Sequence, residues 1–224
     1  MDNFGPVIQR LSVQLVPFIM AVVFHEYAHG FVANLWGDRT ARDSGRLTLN
    51  PIPHMDPIGT ILFPVINMVT GIPLLIGWAR PVPINPARFR KYRQGLFFVS
   101  LAGPAMNVLL AFLAAIVVCG IVKWMPSDFY LFDPLVEMCR VAIQLNYALA
   151  FFNLVPLPPL DGSKVVESFL SYEATKKYEK LSQYSFFIFM ALLVTGAWTF
   201  LLGGPIQFAY SRTLWLAVTI FGIS

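Results

Sequence analysis

Charge is scarce in this chain: 12% of its 224 residues are Asp, Glu, Lys or Arg, against roughly a quarter in a soluble domain. With 57% hydrophobic residues and a mean hydropathy of +0.65, the composition excludes an ordinary soluble fold and predicts an integral membrane protein. Cysteine is nearly absent. The two present, Cys119 and Cys139, lie in apolar runs with no second pair at ligand spacing, which excludes a disulfide framework. The positive excess, 16 Lys plus Arg against 12 Asp plus Glu, is too small and scattered for a nucleic-acid partner and is expected to set topology instead. The sequence has no internal repeat and no basic leader followed by a small-residue cleavage site, so the first apolar run is expected to be a retained helix. If one crossing takes about 20 residues, five or six crossings use about half the chain and leave no room for an appended soluble domain.

Apolar runs cover residues 11–36, 58–78, 96–124, about 135–155, 186–202 and 208–223. The second is broken by Pro64, Gly71 and Pro73, which argues against a straight spanning helix. The fourth ends in the proline-rich NLVPLPPLDG, residues 153–162. Gly203-Gly204-Pro205 separates the last two and predicts a turn. Residues 46–50, RLTLN, alternate polar and apolar and predict a short strand or hairpin. Residues 163–183 mix charges at helical spacing and predict a surface helix.

Inside the first run stands His25-Glu26-Tyr27-Ala28-His29, an HExxH pattern. Residues four apart lie one above the other on a helix, so both imidazoles can reach one ion. Glu26 then stands beside the metal, placed to take a proton from a bound water. The alternative is a pair of helix histidines hydrogen-bonded to their neighbours, but three ionisable groups in five residues of an apolar span mark a functional site. A catalytic zinc needs a third protein ligand. Asp161 is the best candidate, because it follows Pro156, Pro158 and Pro159, where the helix cannot continue. Unwound backbone at membrane depth survives only inside the protein or against a wet cavity. An ordinary turn at Asp161-Gly162 is the plainer reading of that residue taken alone. Asp56 is the runner-up ligand; His54 is a candidate to support a ligand from behind or to contact substrate, with a solvated loop histidine an equal reading.

These residues resemble the site-2 protease family of intramembrane zinc metalloproteases: HEYAH in an apolar helix, SLAGPAMN (residues 100–107) opening a later helix, and residues 153–162 ending another. The likeness covers roughly residues 15–170. It implies that His25, His29 and Asp161 hold one zinc per chain, that Glu26 is the base, and that Asn153 helps hold the substrate backbone. Asn107 is a further candidate for that backbone or for the developing oxyanion, or else packs helices beside Gly103. Many relatives bear a PDZ or CBS domain and this chain shows neither, so it resembles a minimal member. One domain, residues 1–224, is expected, with a catalytic core over about 11–165 and accessory helices over about 183–223.

For His25, His29 and Asp161 to share an ion, the first and fourth runs must point the same way, with one net crossing between them. The 58–78 run is therefore expected to be re-entrant or interfacial, leaving five full crossings, six if it spans. The fold class read from the sequence is thus an all-α polytopic membrane protein of five to six transmembrane helices, with a proline-broken re-entrant segment and a short strand near the site. On the five-crossing count, Arg39, Arg42, Arg46, Arg80, Arg88, Arg90, Lys91, Arg93, Lys164, Lys176, Lys177 and Lys180, 12 of the 16 basic residues, share one side. That side is expected to be cytoplasmic. The expected activity is zinc-dependent hydrolysis of peptide bonds in or near transmembrane segments of other membrane proteins. Rival readings are a metal-ion carrier using the same ligands and a metal-bound scaffold that grips membrane partners without cutting them. Oligomeric state is left open.

Overall fold

The computed structural model describes residues 4–62, 65–66 and 79–223. Three helices carry the bundle. The first, α1 (Phe4–Leu35), ends because Gly37 takes a left-handed φ of 108°: the Asp38 N–H donates back to Ala33 O at 2.9 Å and the Gly37 N–H to Asn34 O at 3.2 Å. This is the glycine-terminated Schellman arrangement, which satisfies carbonyls that the helix end would otherwise leave open. A short turn, α2 (Thr40–Asp43), follows. The long α3 (Tyr92–Trp124) and α4 (Phe132–Asn153) pack on each other and on α1. Ala111, Ala115, Val118 and Cys119 of α3 meet Val136, Ile143 and Tyr147 of α4 in a buried apolar cluster. Small residues at four-residue spacing let the two backbones approach, which is how helices associate where lipid supplies no hydrophobic drive.

Contacts to α1 fix the directions. Passing from Ala21 to His29, the partners on α3 run backwards from Asn107 to Val99, while those beyond α1 and α3 run forwards from Asn146 to Asp161. The first and fourth apolar runs therefore point the same way, and α3 opposes both. The Arg90 N–H donates to Trp36 O at 2.9 Å, so the connection between α1 and α3 leaves and returns at one end of the bundle. Most of the 58–78 run, and with it the re-entrant reading, lies outside the described residues.

The count of five to six crossings does not hold. Among the described residues three helices, Ser12–Leu35, Tyr92–Trp124 and Phe132–Asn153, are long and apolar enough to span, or four if the bent C-terminal pair forms one span. The reason lies in where the chain breaks. Gly203-Gly204-Pro205 is not a turn but sits inside one continuous helix. The break comes earlier, at Gly196, whose φ of +69° separates α7 (Ser182–Val194) from α8 (Ala197–Phe221) by a bend of 82°. Thirteen helical residues reach only about 20 Å, too short for a crossing, and Gln207, Ser211 and Arg212 dilute the apolar character of α8.

The strand is also corrected. Among the described residues there is none, and residues 47–49 form bends. Local bonds replace a ladder there: the Arg46 and Leu47 N–H groups both donate to Ala41 O, the Asn50 N–H to Thr48 Oγ1 and the Ile52 N–H to Asn50 Oδ1. Short polar side chains that satisfy neighbouring backbone compete with strand pairing. The single surface helix over 163–183 is instead two short ones, α5 (Asp161–Glu167) and α6 (Tyr172–Glu179).

Candidate metal centre

His25 and His29 face inward from α1, one turn apart and buried. Their Nε2 atoms stand 3.0 Å from each other, and each lies 3.2 Å from Asp161 Oδ2. Asp161 arrives at that point because α4 stops at Asn153 and residues 154–160 are unwound, so α5 begins at the carboxylate. Two glycines make the approach possible. A Cβ at Gly162 would overlap Leu154 O, and one at Gly103 of α3 would overlap His29 Nε2 and stand 2.6 Å from His25 Nε2. Gly162 folds α5 against the unwound segment; Gly103 opens room for both imidazoles.

The outer ring nitrogens are tied. Asn107, with no exposed surface, donates from Nδ2 to Ala21 O at 3.1 Å and to Asn146 Oδ1 at 2.8 Å. Its Oδ1 is thereby turned to His25, whose Nδ1–H donates to it at 2.5 Å. The His29 Nδ1–H donates to Val99 O at 2.7 Å. With both Nδ1 atoms protonated, each Nε2 presents a bare lone pair to the centre. Two lone pairs and a carboxylate oxygen thus face one another at 3.0–3.2 Å with no donor among them. A cation held between them relieves that repulsion. Ligand atoms at about 2.0–2.1 Å in tetrahedral geometry stand about 3.3–3.4 Å apart, so the spacing fits zinc. Among the described residues this trio is the group whose ligand atoms lie within 4.8 Å of one another.

A cavity of about 370 Å³ opens onto the trio, with Glu26, Asn153, Val82 and Lys164 among its walls. Glu26 Oε2 accepts the Val82 N–H at 2.8 Å. Asn153 lines the same cavity, and its Nδ2 donates to Leu149 O at 3.0 Å. The other candidates sit elsewhere. Asp56 Oδ1 accepts the N–H groups of Ile58 and Gly59 at 3.0 and 2.7 Å, capping the following turn. His54 is 1% exposed, its Nε2–H donates to Thr48 O at 2.8 Å, and it is not among the cavity walls. Sequence reading missed Asn146, although it precedes Asn153 by two helical turns on one face of α4. Gly103 and Asn107, four apart, share a face of α3 in the same way.

Peptidase family M50 matches residues 120–196, a stretch that contains Asp161. The putative zinc metalloprotease YwhC of Bacillus subtilis is 37% identical over 208 residues, 92% of this chain and 91% of that protein. Putative zinc metalloproteases Rip2 of Mycolicibacterium smegmatis and Mycobacterium tuberculosis are 29% and 26% identical over 80% and 79% of this chain, which spans 66% and 64% of their lengths. No solved structure matches. The alignment with YwhC leaves out too little of the chain to miss either end of the His25, His29 and Asp161 cluster, and a near full-length relative at this identity places the chain in peptidase family M50, the site-2 protease family of zinc metalloproteases.

Proposed function

We propose that His25, His29 and Asp161 hold the zinc of an intramembrane metalloprotease in which Glu26 is the general base. One observation carries this reading: three acceptor atoms meet at zinc-ligand spacing on the floor of a cavity that Glu26 also lines. When bound there, zinc supplies a water whose pKa lies near 7 and draws charge from a carbonyl oxygen. Glu26 takes a proton from the attacking water and returns it to the leaving amine nitrogen. Asn107 and the Val99 carbonyl hold the two imidazoles in the ligating tautomer. On this reading Asn153, which lines the same cavity, hydrogen-bonds an extended substrate backbone. Pro81, Val82, Ile84, Phe89 and Leu96 give the cavity apolar walls, which suit the side chains of a membrane-spanning segment and of no nucleic acid.

The active site faces the cytoplasm on this reading. The support is electrostatic: 12 of the 16 basic residues fall in the connections at the Asp161 end, and such an excess marks the inner side. Residues 11–165 form the catalytic core and the helices after about 183 are accessory. The test uses purified protein with a model transmembrane substrate. A strong chelator abolishes cleavage and stoichiometric zinc restores it; cleavage that persists without metal overturns the reading. For sidedness, a cysteine at Arg88, in a background lacking Cys119 and Cys139, is labelled from the cytoplasmic face of intact cells.

A further inference from the structure

Residues 79–85, ARPVPIN, run past Glu26 without helix or strand. Both flanks are anchored. The Arg80 N–H donates to His54 O at 2.9 Å, and the Asn85 N–H to Asp38 Oδ2 at 2.6 Å. Asp38 is itself fully buried and also accepts the Thr40 N–H at 3.0 Å, so the strap is fastened to the end of α1.

Between the anchors a single peptide group is gripped from both sides. Arg46 Nη2 donates to Arg80 O at 2.8 Å and to Pro81 O at 3.3 Å, while the N–H of the Pro81–Val82 peptide donates to Glu26 Oε2 at 2.8 Å. The neighbours Pro81 and Pro83 carry no N–H. Val82 is therefore the one residue of this triplet able to reach Glu26 with its backbone. Its side chain is 6% exposed and lies against Gly30, where a Cβ would stand 3.1 Å from Val82 Cγ1. Gly30 follows Glu26 by four residues and so shares its face of α1. That face offers the strap a notch for the side chain and, one turn earlier, an acceptor for the N–H.

We infer that the Val82 backbone N–H is a positioning donor for Glu26, fixing one carboxylate oxygen so that the other is aimed at the water. The inference rests on the reading of Glu26 as the base. A general base works within hydrogen-bond reach of the proton it takes, and it is commonly oriented by a third group. Glu26 sits on a rigid helix, but its side chain has rotatable bonds of its own. The strap removes that freedom before substrate arrives. Arg46 is a positioning residue one step further back, since it holds the carbonyl of the same peptide.

The test replaces Val82 in the full-length protein by its α-hydroxy analogue, which turns the N–H into an ester oxygen and keeps the isopropyl group. Val82→Pro removes the same donor genetically. With a model transmembrane substrate, both are expected to keep one zinc per chain and the wild-type melting temperature. KM stays within about twofold while kcat falls about tenfold to a hundredfold, the loss that follows when a reacting group is misplaced. The same ester at Ala87, whose N–H donates to Asn85 Oδ1 at 3.1 Å on the exposed part of this connection, leaves kcat unchanged. Wild-type kcat in the Val82 ester overturns the inference, as does a loss confined to KM or accompanied by loss of zinc. If Val82→Pro does not fold, the ester decides. Glu26→Gln separates the two ideas: an active Glu26→Gln enzyme removes the base itself, whereas an inactive one beside a fully active Val82 ester removes only the role of the strap.

Discussion

Asn107 reaches from the middle of α3 to His25 on α1, its Oδ1 2.5 Å from the imidazole Nδ1, and has no surface left for anything else. Its amide is spent on Ala21 O and Asn146 Oδ1. The residue thus sets the tautomer of a metal ligand and joins α1, α3 and α4. Loss of such an outer partner lowers metal affinity about 10- to 100-fold. Asn107→Ala is therefore expected to weaken zinc binding by that factor in a chelator competition titration, with cleavage recovered at high free zinc. Unchanged affinity would mean that His25 is oriented by packing alone.

Gly103 tests the steric side of the same arrangement. A methyl group there overlaps the imidazole of His29 and crowds that of His25, and both are pinned from behind. Gly103→Ala is expected to purify with less than about a tenth of the wild-type zinc, since displaced ligands rarely hold a catalytic ion. Gly204→Ala, where nothing lies within 4 Å of an added Cβ, keeps its zinc. Elemental analysis of the two proteins checks this.

The metal centre was legible largely because its parts are local or chemically conspicuous. Four-residue spacing puts His25 and His29 on one face of a helix, and three prolines force the chain to unwind before Asp161. Asn107 lies 82 residues from His25, and no local pattern pairs them; only the antiparallel packing of α1 and α3 does. The same limit explains the errors in the fold. Alternation over residues 46–50 predicts a strand only where a neighbouring strand exists to pair with, and Thr48 and Asn50 satisfied the backbone locally instead. Gly203, Gly204 and Pro205 read as a turn by water-phase rules, yet an apolar setting favours keeping every available helical hydrogen bond. Gly196 broke the chain instead, through a left-handed conformation that its side-chain-free backbone adopts without strain. The Val82 contact with Glu26 was invisible for a further reason: it is made by backbone, and side-chain chemistry does not announce it.

Tyr147 of α4 and Thr213 of α8 are hydrogen-bonded through their hydroxyls, both buried. This bond ties the last helix to the catalytic bundle. Polar pairs in membranes average about 0.6 kcal/mol and reach about 1.7 at most. A double-mutant cycle with Tyr147→Phe and Thr213→Val is expected to give a coupling in that range when unfolding is followed in bicelles, with zinc content unchanged. Zero coupling would leave α8 held to the core by the apolar packing around Ala217 alone.

The most direct test of the whole account is the zinc content and cleavage rate of Glu26→Gln, measured on one preparation. The amide keeps the size of the side chain but cannot take a proton from water. The account predicts one zinc per chain, a wild-type melting temperature, and cleavage of a model transmembrane substrate lowered by at least about a hundredfold. Wild-type cleavage with zinc bound would contradict it, removing Glu26 as the base; loss of zinc together with activity would make Glu26 part of the metal site instead of the group that works beside it.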